Sequence, residues 1–290
     1  MTELKPQNDR PAIVDNLKTT PFTRGGLFDI IPLKIKRGGF KVARKIKQIE
    51  GQLCLDMCLN SGNYVVQANN LIAGKQSLSI NSAKILRSAI MQIQKDDTEL
   101  KPYVITTREL ADLLHITTDN IYRVIDNVSD ELITSYAEAR AEYGERKKFK
   151  KISWVSFCEY DSEIGFAIKL NQDMKPYLLN LKERYTQYTL DNILSMKSVY
   201  GIRIFELLQE KIISRVLPKQ GTDIILSVQY IRECCDCEDK YERFSQFKTR
   251  VLDRAVEEIE RVTMYTLSYS YIKKGRMIES IVFHINMKYH

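Results

Sequence analysis

One stretch, Tyr241-Glu-Arg-Phe-Ser-Gln-Phe-Lys-Thr-Arg-Val-Leu-Asp-Arg-Ala-Val-Glu-Glu-Ile-Glu-Arg261, constrains this chain more than any other. A helix drawn through it at about 100° per residue has two chemically different faces. Phe244, Val251, Leu252, Ala255, Ile259 and Val262 fall on one side, and Arg243, Gln246, Thr249, Arg250 and Asp253 on the other. The first face requires a core. The second offers guanidiniums, an amide and a hydroxyl, the groups suited to base edges and phosphates in a major groove. Lys248 lies nearer the apolar side, which suits a phosphate contact at most, and Lys240, just upstream, is a further candidate contact.

The flanking segments complete a pattern. A shorter helical segment, Ser227-Val-Gln-Tyr-Ile-Arg-Glu233, precedes this helix, and Asp223-Ile-Ile-Leu-Ser227 predicts a short strand before that. After it, strands over Met264 to Ile272 and Met277 to Asn286 close a hairpin through Lys273-Lys-Gly-Arg276, with Gly275 permitting the positive φ of a tight turn. Lys273, Lys274 and Arg276 form its basic tip. Helix, recognition helix and hairpin in that order read as a winged helix-turn-helix.

An earlier part of the chain repeats the theme more loosely. Tyr64-Val-Val-Gln-Ala-Asn-Asn-Leu-Ile is strand-like, and Asn81 to Gln94 predicts a helix with Ile85, Leu86, Ala89, Ile90 and Ile93 as its apolar stripe. Thr106 and Glu109 form a capping box that opens a short helix over Arg108 to Leu114. After a turn at His115-Ile-Thr, a helix over Thr118 to Ile133 buries Ile121, Val124, Ile125, Val128 and Leu132. Its exposed face carries Asn120 and Arg123 as candidate contacts, but also Asp119, Asp126 and Asp130, which phosphates would repel. This first helix-turn-helix is therefore expected to supply backbone or protein contacts rather than sequence reading.

The basic run Arg146-Lys147-Lys148-Phe149-Lys150-Lys151 leads into a strand predicted over Ile152 to Tyr160, which turns at Asp161-Ser-Glu-Ile-Gly165 into Phe166-Ala-Ile-Lys-Leu170. Such a basic hairpin fits a wing on a DNA backbone, with Lys147, Lys148 and Lys150 as contacts. Asp173 is expected to cap the next helix, with Pro176 in its first turn. Ser198 to Ile212 is apolar enough to be the central helix of a second domain.

The 290 residues suffice for two domains; 44% are hydrophobic and 28% charged, and Lys plus Arg exceed Asp plus Glu by 44 to 37. The division expected is a basic extension over 1–60, a first domain over 61–172 and a second over 173–290, in an α+β fold of two tandem winged helix-turn-helix domains. Between Lys34 and Lys47 the extension holds seven basic residues and no acidic one, as a phosphate-tracking arm or a solvated extension would. No run of 18 apolar residues and no signal-peptide core occur, so a cytoplasmic protein is expected. Cys54, Cys58, Cys158, Cys234, Cys235 and Cys237 then read as thiols, and Cys234-Cys-Asp-Cys237 lacks a second matching pair of zinc ligands.

The succession Lys175-Pro-Tyr-Leu-Leu, Tyr185-Thr-Gln-Tyr-Thr-Leu, Met196-Lys-Ser-Val-Tyr-Gly-Ile-Arg-Ile-Phe-Glu-Leu-Leu208, Phe247-Lys-Thr-Arg-Val-Leu-Asp-Arg-Ala-Val-Glu-Glu-Ile259 and Lys273-Lys-Gly-Arg276 resembles the iteron-binding plasmid replication initiators over roughly residues 64 to 288. The first domain matches through Gln67-Ala-Asn-Asn-Leu-Ile72 and its helix-turn-helix. The resemblance implies two winged helices on directly repeated double-stranded DNA at a plasmid origin. It also implies monomers that help open the origin and recruit the host initiator and replicative helicase, homodimers that repress the chain's own promoter, and chaperones that act on the dimer. Carried over, the reading positions fall on Arg243, Gln246, Thr249 and Arg250. Thr249 stands where relatives often have a basic residue, a difference that bears on which repeat is read. No cofactor is implied.

Other classes fit less well. A nicking enzyme needs a metal held by paired histidines, and His115, His284 and His290 are not so paired. A phosphate loop at Ala73-Gly-Lys-Gln-Ser77 would need a glycine where Asn69 stands. The competing reading is a sequence-specific transcription regulator with no part in initiation. A winged-helix protein whose faces serve only protein contacts leaves Arg243, Gln246 and Arg250 without a purpose.

Overall fold

A computed structural model describes residues 64–141, 148–212, 217 and 220–288. The basic extension, Cys54, Cys58, Lys147 and His290 lie outside the described residues.

In the first module, strand β1 (Tyr64–Ala68) runs into a turn of helix α1 (Asn69–Ile72), so the strand-like stretch ends earlier than its composition suggests. Helix α2 (Ile80–Met91) starts at Ser79, whose hydroxyl accepts from the Ser82 N–H, and every residue from Ser82 to Met91 is buried. Strand β2 (Pro102–Thr106) leads into α3 (Thr107–Leu114) through the expected capping box, with both reciprocal bonds present. His115 ends α3 in the left-handed conformation, and a 3₁₀ turn at Thr118–Asn120 opens α4 (Ile121–Thr134), which buries Ile121, Ile125, Val128 and Leu132.

The strand expected over 152–160 is two strands in two different sheets. Strand β4 (Lys148–Ser153) pairs with β3 (Tyr136–Ala141) as a separate two-stranded ribbon. Strand β5 (Val155–Asp161) pairs with β6 (Gly165–Leu170), which also pairs with β2. The break is at Trp154, which is fully buried, donates its backbone N–H to the Ser135 carbonyl and accepts from the Asn171 N–H. The wing therefore needs correcting. The part of the basic run from Lys148 to Lys151 lies on the β3–β4 ribbon, whereas the β5–β6 hairpin turns through Asp161 and Glu163, with the Asp161 carboxylate accepting from the Glu163 and Ile164 N–H groups. Gly165, at φ +138°, sits where a Cβ would lie 2.2 Å from the Ile105 carbonyl oxygen, which only glycine avoids.

The next helical turn, Gln172–Met174, is capped by Asn171, which accepts from the Asp173 N–H. Asp173 is thus inside the turn and not its cap, and Pro176 falls in the first turn of α5 (Lys175–Leu178) as expected. The expected division at 172/173 falls within this turn, and β1 pairs across it with β7 (Tyr185–Thr189). After α6 (Asp191–Leu194) comes α7 (Val199–Lys211), capped by Ser198 and buried from Gly201 to Leu208. This helix is central to more than the second module. Its Arg203 donates to the carbonyls of Ile72 and Gly74 on one side and of Cys234 on the other. Its Glu206 receives bonds at 3.0 Å from each of Arg87 Nε and Nη2, at 2.6 Å from Arg203 Nη1 and at 2.5 Å from the Tyr188 hydroxyl.

The second module follows the order read from the sequence: β8 (Thr222–Ser227), α8 (Val228–Cys234), the long helix α9 (residues 244–262), β9 (Tyr265–Lys274) and β10 (Met277–Met287), with β10 central in an antiparallel sheet of order β8-β10-β9.

Candidate nucleic-acid interface

Helix α9 begins as an α-turn (Phe244–Phe247), widens into a π turn (Lys248–Asp253) and continues as α-helix (Arg254–Val262). Phe247, Val251, Leu252, Ala255 and Ile259 are buried, while Arg243, Gln246, Thr249 and Arg250 are exposed together on the opposite face. The π turn falls across the middle of that face, and such turns recur at functional sites. Asp253 does not join the exposed set. Its carboxylate takes Lys248 Nζ at 2.8 and 2.9 Å and the Tyr269 hydroxyl at 2.5 Å. The bond to Asp253 raises the Lys248 ammonium above its ordinary range, so Lys248 offers phosphate a charge already balanced inside the protein.

Two further residues occupy the apolar face, and the same 100° count could have found them. Phe247 is fully buried, with the Arg232 guanidinium 4.4 Å from its ring centre. Arg232 also donates to the carbonyls of Cys237, Lys240 and Tyr241, which fixes the turn between α8 and α9. Glu258 is buried and accepts from the Lys197 and Ser198 N–H groups at 2.9 and 3.1 Å, neutralising open donors at the start of α7. These contacts set the angle at which α9 presents its polar face.

The wing is the β9–β10 hairpin. Gly275 is at φ +63°, and Lys273, Lys274 and Arg276 are all exposed around it, with Lys274 Nζ 3.5 Å from Glu279. Lys240 is exposed and donates to the Asp236 carbonyl at 3.1 Å. In the first module, Asn120 is exposed and donates to Thr117 Oγ1, and Arg123 is exposed beside Asp119, Asp126 and Asp130, as the phase predicts. Tyr122, which the sequence reading passed over, is 68% exposed on the same helix. Lys150 is exposed on the ribbon, and Lys148 lies in its strand β4.

Other clusters differ in character. Cys234, Cys235 and Cys237 are buried; Cys234 Sγ donates to the Ala73 carbonyl, and burial pushes the Cys237 thiol up to about 11, away from the thiolate that zinc requires. Among the described residues no group of three His, Cys, Asp or Glu is placed to hold a metal ion. His284 Nδ1 lies 2.7 Å from Asp223 and its Nε2 2.9 Å from Ser270 Oγ, but these groups stand on an open sheet face where water reaches each of them. No helix among the described residues is long and apolar enough to cross a membrane.

Comparison with known proteins agrees with this architecture. Residues 64–209 match the family model described as initiator replication protein, WH1, and residues 227–285 match initiator Rep protein, WH2. A replication initiation protein of Escherichia coli is 22% identical over 227 residues, covering 77% of this chain and 69% of that protein. An uncharacterised 27.6 kDa protein of Escherichia coli is 23% identical over 239 residues, covering 79% of this chain and 98% of that one. The crystal structure of Pi initiator protein in complex with iteron DNA superposes with a TM-score of 0.64 at 20% identity, covering 79% of this chain and 99% of that one, which establishes a shared fold.

Proposed function

This chain belongs to the initiator replication protein family, with both winged-helix modules of that family in order, and we propose that it binds directly repeated double-stranded DNA at a plasmid origin and helps to open it. The observation that carries this reading is the single exposed face of Arg243, Gln246, Thr249 and Arg250, held between a packed helix-turn-helix and a basic wing. The second module reads sequence, and the first supplies backbone contacts and a dimer surface. Monomers act at the origin with the host initiator and replicative helicase, homodimers repress the chain's own promoter, and chaperones release monomers from dimers. The protein works in the bacterial cytoplasm, without a cofactor and without catalysis of its own.

Lys274 is assigned to phosphate by its place at the wing tip. Lys274→Ala is expected to weaken binding to repeat and shuffled duplexes alike and to reduce the magnitude of the salt slope by about 1. A salt titration in which both slopes are unchanged would remove it from the interface.

A transcription regulator would carry the same helix, so opening is the property that separates the two readings. The test is permanganate reactivity of thymines on a supercoiled plasmid bearing the DNA upstream of the gene. Reactive thymines beside tandem repeats are expected once the protein is bound. Tight binding at one inverted repeat without new reactivity would establish the regulator instead.

A further inference from the structure

Lys248 and Asp253 are five residues apart, yet their side chains meet at 2.8 and 2.9 Å. In an α-helix residues five apart stand about 140° around the axis from each other, which puts such a pair out of line. In a turn whose bonds run from i to i+5 they come much closer to one line, so this pair belongs to the π turn over Lys248–Asp253 and clamps its two ends together. The wing strand β9 holds the same turn from outside. The Tyr269 hydroxyl donates to Asp253 at 2.5 Å, and its ring packs against those of Tyr271 and Phe283, with ring centres at 5.6 and 6.2 Å. Tyr271 in turn meets Phe244, the residue after Arg243, edge-on at 5.4 Å. Arg243 and Gln246 precede the wide turn, and Thr249 and Arg250 lie inside it. Its width therefore sets how the first pair is phased against the second. Neither clamp residue is suited to contact DNA: a carboxylate repels phosphate, and the Tyr269 hydroxyl already gives its proton to Asp253.

From this we infer that Asp253 and Tyr269 are positioning residues that determine base preference without touching DNA: they hold the π turn open, and the π turn sets Arg243 and Gln246 in register with Thr249 and Arg250. The inference rests on the reading of α9 as the sequence-reading helix and adds the device that aligns its face. Were the turn to tighten into α-helix, the residues on its two sides would shift against each other by about one residue's rotation, roughly 100°. The two pairs would then no longer meet their bases together.

The test is binding of the full chain, at about 150 mM salt, to the direct repeat, to a panel of repeats each carrying one base substitution, and to a shuffled duplex. Tyr269→Phe keeps the ring and removes only the hydroxyl, whereas Asp253→Ala removes both bonds. Tyr269→Phe is expected to flatten base preference by about 10-fold at two or more positions of the repeat while leaving shuffled-duplex affinity within about 2-fold. Asp253→Ala is expected to flatten the same positions, and the two substitutions together to do no more than either alone. Base preference that survives both substitutions, in a wild type that shows it, overturns the inference and leaves the proposed function standing. Equal loss on every duplex would give the two residues a role in stability alone, and flattening at a single position would make the altered residue a base contact; either result overturns the inference too. A wild type without base preference would sink the proposed function and this inference with it.

Discussion

Glu206→Ala is expected to destabilise the fold by about 3–5 kcal/mol, the loss found when one member of a buried ionic cluster is removed and its partners stay charged. Glu206 is fully buried on α7, and its carboxylate is shared by Arg87 and Arg203, both at most 2% exposed. After the substitution Arg203 keeps its bonds to the carbonyls of Ile72, Gly74 and Cys234, whereas Arg87 keeps the neutral Gln76 amide oxygen and Tyr188 hydroxyl. Two positive charges would then face each other in a dry interior. Equilibrium urea unfolding checks this, and a loss below about 1 kcal/mol would contradict it. The effect has a pH signature. Burial alone would raise the Glu206 carboxyl, but the Arg87 and Arg203 guanidiniums and bonds from Arg87 and Tyr188 hold it down to about 2. Its contribution is therefore complete above the ordinary glutamate value of 4.5 and disappears as pH falls towards 2. The gap between wild type and Glu206→Ala should be constant near neutrality and close across that acid interval.

The second large effect is on recognition. If Arg243 and Arg250 each pair with a guanine, alanine at either position is expected to cost about 1–3 kcal/mol of specific binding and to relax preference at one base position of the repeat. Both are exposed, so the fold should be untouched. Binding to a panel of repeats carrying each base substitution separates this from a phosphate role. An arginine that reads a base loses discrimination at one position, and one that touches phosphate loses affinity equally on every duplex. Equal loss everywhere would remove the residue from the reading set. Thr249, between them on the exposed face, has only a hydroxyl and a methyl to offer, which suits a thymine methyl or a backbone oxygen better than a guanine.

What could be read from the chain alone was whatever is local. The Thr106–Glu109 capping box spans three residues, and the two faces of α9 follow from helical phase, so both stood in the sequence without help from distant partners. The wing at Lys273 to Arg276 was legible because a glycine between basic residues breaks two alternating strands. What escaped depends on long separations. Alternation runs through Trp154 without a break, and only its burial between Ser135 and Asn171 divides the strand and puts Lys148 to Lys151 on a separate ribbon. Nothing near Glu206 in sequence announces Arg87, which is 119 residues away. The candidate site was legible in its second-module half for the same reason: its exposed polar face lies on one helix. The exposed aromatic residues of the first module, Tyr122 and Phe149, were hidden because an aromatic residue in a helix or strand reads as core until the packing around it is known.

The central claim is that the α9 face reads sequence at repeated sites, and the measurement that tests it most directly is the affinity of the full chain for duplex from upstream of its own gene against a shuffled duplex of equal composition, at about 150 mM salt. The account predicts specific binding tighter by about 10³-fold or more, with protected segments at regularly spaced direct repeats, over non-specific binding near 10⁻⁴ to 10⁻⁶ M. Equal and weak binding to both duplexes would contradict it, because the face carrying Arg243, Gln246, Thr249 and Arg250 would then be reading nothing.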